Sequence, residues 1–252
     1  SMSQSTESTT ESNPFTKPGF IIAAAVVGAL IAAAVVIFLF PKGQGNAQAA
    51  PAASSASTSA APAKSADAAG ESVCGLPSSM ETALGTAPKS KWELVGKMAV
   101  PTDAKTSGPG LTDSDGFRSC FAHSPTGALY SAMNVGALGS AGSPPLEVKL
   151  ADKLLVPGKG RDAAMKEAAS STASSRSSTT IQVKGFSLKS YTASEANVDL
   201  AFETNTGVLV HSLLSMRWMD GDWKVKPADD GVTFSGVSQL SDLSGFILWS
   251  GV

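Results

Sequence analysis

The chain has 252 residues, 16% of them charged, and a formal net charge of −2. No basic surface is available to neutralise a phosphate backbone, so direct nucleic-acid binding is not expected. Two histidines, His123 and His211, and two cysteines, Cys74 and Cys120, are too few for a multi-histidine or thiolate metal site.

Residues 1–19 are Ser/Thr-rich and carry Glu7, Glu11 and Lys17, which predicts a disordered tail. The run from Phe20 to Phe40 is apolar and uncharged over 21 residues. As a helix it reaches ~31 Å, the thickness of a bilayer core. Ala47-Gln48-Ala49 has the small-x-small form of a signal-peptide cleavage site. It lies nine residues past the apolar end, behind an n-region that is not basic. A retained single-pass anchor is therefore expected, with 20–40 spanning the lipid bilayer. No cysteine follows the run directly, as a lipoprotein would require. A short polar tail, one span and a long C-terminal part form the signal-anchor arrangement. The tail is expected in the cytoplasm and the rest outside the cell membrane.

Residues 41–70 are an Ala/Ser/Pro-rich linker. Positions 43–70 hold 12 Ala and 5 Ser and no aromatic or branched apolar residue, so they cannot build a core. As a flexible coil this tether spans roughly 30 Å. The folded part is predicted over 71–252.

Trp92 to Val100 alternates as one strand, and 101–116 reads as turns. Asp113-Ser114-Asp115-Gly116 looks like part of a calcium loop, but it lacks a first Asp, with Leu111 in its place, and a closing Glu. It is read as a turn. Phe117 to Phe121 is a short strand. Ser124 caps a helix with Pro125 at its first position, running to about Gly139. Leu146–Leu155 and Arg161–Ala173 are further helices, split by Pro157-Gly158, and 170–180 is a loop or fraying end. The period then becomes two. Ile181 to Leu188 forms a strand with a bulge at Gly185. Val198 to Glu203 follows, then a turn at Asn205-Thr206-Gly207. Val208 to Met219 is apolar on both faces, as a central strand is. Asp220-Gly221 is a two-residue hairpin turn that sets Trp218 opposite Trp223. A last short element covers Leu243 to Trp249.

No catalytic, cofactor-binding or metal residue is expected. His123-Ser124 suggests nucleophile chemistry, but Ser124 already has a capping role and no G-x-S-x-G elbow occurs. His211 reads as a hydrogen-bonded core or groove residue. Asp199 and Glu203 share a strand face, and a solvated outer face explains them more simply than a carboxylate pair. His211, Asp199, Trp218 and Trp223 are the candidates for a ligand groove. A Cys74–Cys120 disulfide is expected, because both residues fall in an exported domain and no third cysteine competes.

Helices followed by long antiparallel strands form an α+β pattern. Over 117–226, with the closing Asp220-Gly221-Asp222-Trp223-Lys224-Val225, it resembles the cystatin-like cone of the nuclear-transport-factor-two superfamily. In that fold a curved sheet wraps a helix. The segment Arg118-Ser119-Cys120-Phe121-Ala122-His123-Ser124-Pro125-Thr126-Gly127-Ala128-Leu129 carries a narrower resemblance, with the endings Asp242-Leu243-Ser244-Gly245-Phe246 and Trp249-Ser250-Gly251. These are similar to actinobacterial membrane-anchored proteins of conjugative elements. Their layout is similar to the VirB-type scaffold subunit of type IV secretion and to TcpC-like conjugation proteins. The resemblance implies a non-enzymatic structural subunit of a transfer apparatus, with other membrane subunits as partners and a homo-oligomer in the membrane. The alternatives are an extracytoplasmic small-molecule or peptide-binding module of the same fold, and a cone-fold enzyme using His211 and Asp199.

Overall fold

The computed structural model describes residues 70–170 and 180–251. The tail over 1–19, the span over 20–40, nearly all of the linker over 41–70 and most of the 170–180 loop lie outside those residues. Among the described residues no helix is long and apolar enough to cross a membrane.

The folded part is α+β. Trp92 to Val100 is two strands rather than one. β1 (Lys91–Val95) and β2 (Met98–Thr102) pair antiparallel, with Val95 opposite Met98. Gly96, at φ +60°, supplies the left-handed backbone that a tight hairpin turn needs. β3 (Leu111–Thr112) and β4 (Arg118–Ser119) form a second small hairpin around Asp113–Gly116. The aspartates of that turn face a lysine. Lys149 Nζ lies 2.7 Å from Asp113 and 2.8 Å from Asp115.

The helix α1 (Pro125–Ser140) begins as its sequence requires. Ser124 Oγ accepts from Gly127 N at 3.0 Å, and Pro125 fills the first turn. Nearly every residue from Pro125 to Leu138 is buried. A helix that is apolar all round lies inside a protein rather than on its surface. The shorter α2 (Pro144–Leu154) packs beside it, and α3 (Lys159–Ser170) packs on α2.

The main sheet holds β5 (Ile181–Tyr191), β6 (Glu195–Thr204), β7 (Leu209–Met219), β8 (Asp222–Val225), β9 (Ser235–Leu240) and β10 (Ile247–Leu248). Its order is β10-β5-β6-β7-β8, all antiparallel, and β9 also pairs with β7. β7 is flanked on both edges, by β6 on one and by β8 and β9 on the other, but only its inner face is apolar over most of its length; His211, Ser215 and Arg217 make the outer face mixed. The β5–β6 register shifts between Val183 and Gly185 and again between Leu188 and Ser190, which bends the strand.

Alternation sorts the two faces of the sheet. On β7, Val210, Ser212, Leu214, Met216 and Trp218 point inward and are buried; His211, Leu213, Ser215 and Arg217 point outward and are half-buried. The inward set meets α1 in one core with Phe186, Leu200, Phe202, Leu129, Met133 and Leu138. The outward face is covered in part by the C-terminal segment. An added Cβ on Gly185 would sit 3.0 Å from the Ile247 carbonyl oxygen, so a side chain there would press on β10.

Candidate functional site

Asp220-Gly221 makes the hairpin between β7 and β8, with φ +54° and +74°, and places Trp218 opposite Trp223. Their rings meet edge to face at 5.4 Å. Both are buried on the inner face, and His123 joins them. Its imidazole stacks on Trp218 at 4.0 Å, with planes 2° apart, and meets Trp223 edge-on at 5.9 Å. His123 Nδ1 faces the Gly70 carbonyl oxygen and Nε2 that of Ala193. The Cys74–Cys120 disulfide, with Cα atoms 6.2 Å apart, ties the entering chain to the segment that leads into α1.

Asp222 holds the same corner. Its Oδ2 accepts from Cys120 N at 2.7 Å, and its Oδ1 accepts from Phe121 N and Trp223 N, both at 2.8 Å. Burial pushes this carboxyl up to about 6, against the downward pull of those three backbone donors. The entering chain is fastened here as well. Val73 N donates to the Gly221 carbonyl at 2.8 Å, and Ser72 Oγ accepts from Leu76 N at 2.8 Å.

His211 and Asp199 stand on the opposite face of the sheet. The structure therefore joins the four groove candidates as two separate pairs, because odd positions of β7 point away from even ones. The expectation of a solvated Asp199 is overturned: it is only 4% exposed. Its Oδ1 accepts from His211 Nδ1 at 2.9 Å, and Lys189 Nζ lies 3.6 Å from its Oδ2. The Phe246 ring packs edge-on to His211 at 5.7 Å, and Lys189 Nζ lies over that ring at 5.7 Å. The C-terminal segment thus covers a carboxylate that strand parity alone puts in water.

Sequence reasoning missed Ser238. β9 sets it directly opposite His211, and its Oγ lies 2.7 Å from His211 Nε2. It also missed a cleft of about 470 Å³ beside the first hairpin, where Lys89, Lys91, Lys105 and Arg118 stand with Glu93 and Asp103. Arg118 Nη2 reaches Glu93 at 2.6 Å, while its buried Nη1 has no hydrogen-bond partner. Among the described residues no group of three or more His, Cys, Asp or Glu side chains is placed to hold a metal ion.

A family model described as a domain of unknown function, DUF8175, matches residues 51–248. No curated protein and no solved structure matches the chain.

Proposed function

The chain belongs to the DUF8175 family, and we propose that it is a single-pass membrane structural subunit of a conjugative or type IV secretion-like transfer apparatus. It acts by protein–protein contact outside the membrane. One observation carries the reading: the way the chain enters its folded domain. Residues 70–76 are held by the disulfide, by the Val73–Gly221 hydrogen bond and by the carbonyl of Gly70 on His123. A tether from the apolar 20–40 segment would deliver its pull at this point. Load then falls on a covalent bond and a buried ring stack instead of peeling residues 74–100 from the sheet. The disulfide also suits an oxidising compartment outside the cytoplasm. The bent β5–β6–β7 surface around the buried α1 supports the cystatin-like cone, in which such a sheet cups a helix.

Clean deletion of the gene tests the proposal. DNA transfer is expected to stop, while nicking by the relaxase continues. Transfer at the normal frequency would overturn it.

The basic cleft favours a second reading, a module that binds a small anionic ligand. Titration of the full chain with inorganic phosphate, read by thermal protection, checks it. Protection lost in Lys91→Glu supports that reading, and absence of protection removes it.

A further inference from the structure

The outer face of the sheet holds three side chains in a relay that a scaffold does not need. We propose that Ser238 is a nucleophile activated by His211 and Asp199, and that this face carries an esterase site for reactive carboxylic esters. The inference goes beyond the structural role above and does not depend on it.

Hydrogen-bond chemistry assigns the protons. The Asp199 carboxylate only accepts, so His211 Nδ1 donates to it at 2.9 Å. In the neutral ring Nε2 then carries a lone pair, and it faces Ser238 Oγ at 2.7 Å. Ser238 therefore donates its hydroxyl proton to the ring, which is the arrangement that makes a serine nucleophilic. Exposure is graded to match. Asp199 is buried, the His211 side chain is a quarter exposed, and Ser238 is half-buried at the rim.

The three residues come from three adjacent strands, β6, β7 and β9, and not from loops. Their spacing is fixed by the ladder, as a preorganised site requires. Phe246 against the ring edge and Lys189 at the second Asp199 oxygen hold the imidazole and carboxylate in place. A cross-strand His–Ser bond serving only to pair β9 with β7 has no need of a buried carboxylate behind the ring.

The step balances within these groups and water. Ser238 Oγ attacks the ester carbonyl carbon while its proton passes to His211 Nε2. The bond to the leaving alcohol breaks as His211 returns that proton to the alcohol oxygen. Water, deprotonated by His211 Nε2, then attacks the acyl carbon; the bond from that carbon to Ser238 Oγ breaks, His211 returns the proton to Oγ, and the acid leaves. With the relay alone, turnover of activated esters is expected, and not of amides.

The test uses the full chain in detergent micelles and a fluorophosphonate probe. Mass mapping should find the adduct on Ser238, and p-nitrophenyl acetate should be hydrolysed with a burst. His211→Ala should slow labelling ~10²–10⁴-fold, the usual weight of a general base. Asp199 acts as a positioning residue. Asp199→Asn should slow labelling in protein whose melting midpoint shows it folded, and Asp199→Glu should restore part of the rate, a rescue that a merely structural role would not give. Should these variants misfold, Ser238→Cys keeps the test open. Its alkylation by iodoacetamide should be at least tenfold faster with His211 than in the double variant with His211→Gln. An unlabelled Ser238 in the folded protein, or equal rates with and without His211, would overturn the proposal.

Discussion

The two histidines stand on the two faces of one sheet, and their partners decide what each can do. His123, on the inner face, has a carbonyl oxygen at each ring nitrogen and an indole stacked over it. Carbonyl oxygens only accept, so no donor reaches the ring and it has no proton to take up from a neighbour. It is also 3% exposed. His211 has an acceptor on one side and a hydroxyl on the other, at an open rim. One polar partner at each ring nitrogen thus builds a packing element in one place and a base in the other. The kind of partner matters more than the count.

The sharpest break between the regions is covalent. Replacing Cys74 and Cys120 by alanine removes a link that closes a 46-residue separation, worth about 4 kcal/mol by loop-closure entropy. Urea unfolding should show the loss, and limited proteolysis should begin near 70–76. Labelling of Ser238 in the surviving folded fraction should stay unchanged.

The next effect belongs to Asp222. Its folded value of about 6 lies above the ~3.9 of an unfolded aspartate, so the native state binds the proton more tightly. The contribution is present below pH ~4 and is lost as pH rises through about 6, an amplitude of roughly 3 kcal/mol. Urea midpoints over pH 4–7 measure it. Asp222→Asn should flatten this slope. It should also destabilise the protein by about 2–3 kcal/mol, because the amide presents either a donor to Cys120 N or too few acceptors to Phe121 N and Trp223 N.

His123→Ala should cost about 2 kcal/mol, because it empties the space of a buried ring and leaves Trp218 without its stacked partner. Thermal melts check this. Ester hydrolysis should persist, and its loss in the folded variant would erase the distinction between the faces. The smallest effect on stability is expected for Ser238→Ala, under about 1 kcal/mol by the same melts, since its half-buried hydroxyl makes its bond to His211 at the rim. A large stability loss there would make the outer cluster structural like the inner one.

Local chemistry wrote several elements directly into the chain. Ser124-Pro125 could only start a helix, and Asp220-Gly221 could only turn a hairpin, so the Trp218–Trp223 pair followed. Gly185 marked the bend in β5 because a strand interior keeps a glycine where another backbone must approach. One local signal was passed over. Gly96 interrupts the alternation of Trp92 to Val100 and turns one expected strand into two.

Of the outer site, His211 and Asp199 were legible as candidates; their meeting with Ser238 was not, and the reason is register. Strand periodicity tells which residues share a face, and odd against even numbers on β7 already divide His211 from Trp218, although the two were expected in one groove. It does not tell which strand lies alongside or at what offset. Ser238 meets His211 only because β9 returns to β7 after nine residues of irregular chain, and a shift of one residue would turn its hydroxyl to the other face. Asp199 is buried only because the C-terminal segment brings Phe246 to that face and Lys189 pairs with its second oxygen. Periodicity, capping and turn chemistry, acting over a few residues, determined the elements. Long-range pairing and cover, set by how the whole core closes, decided which polar groups meet.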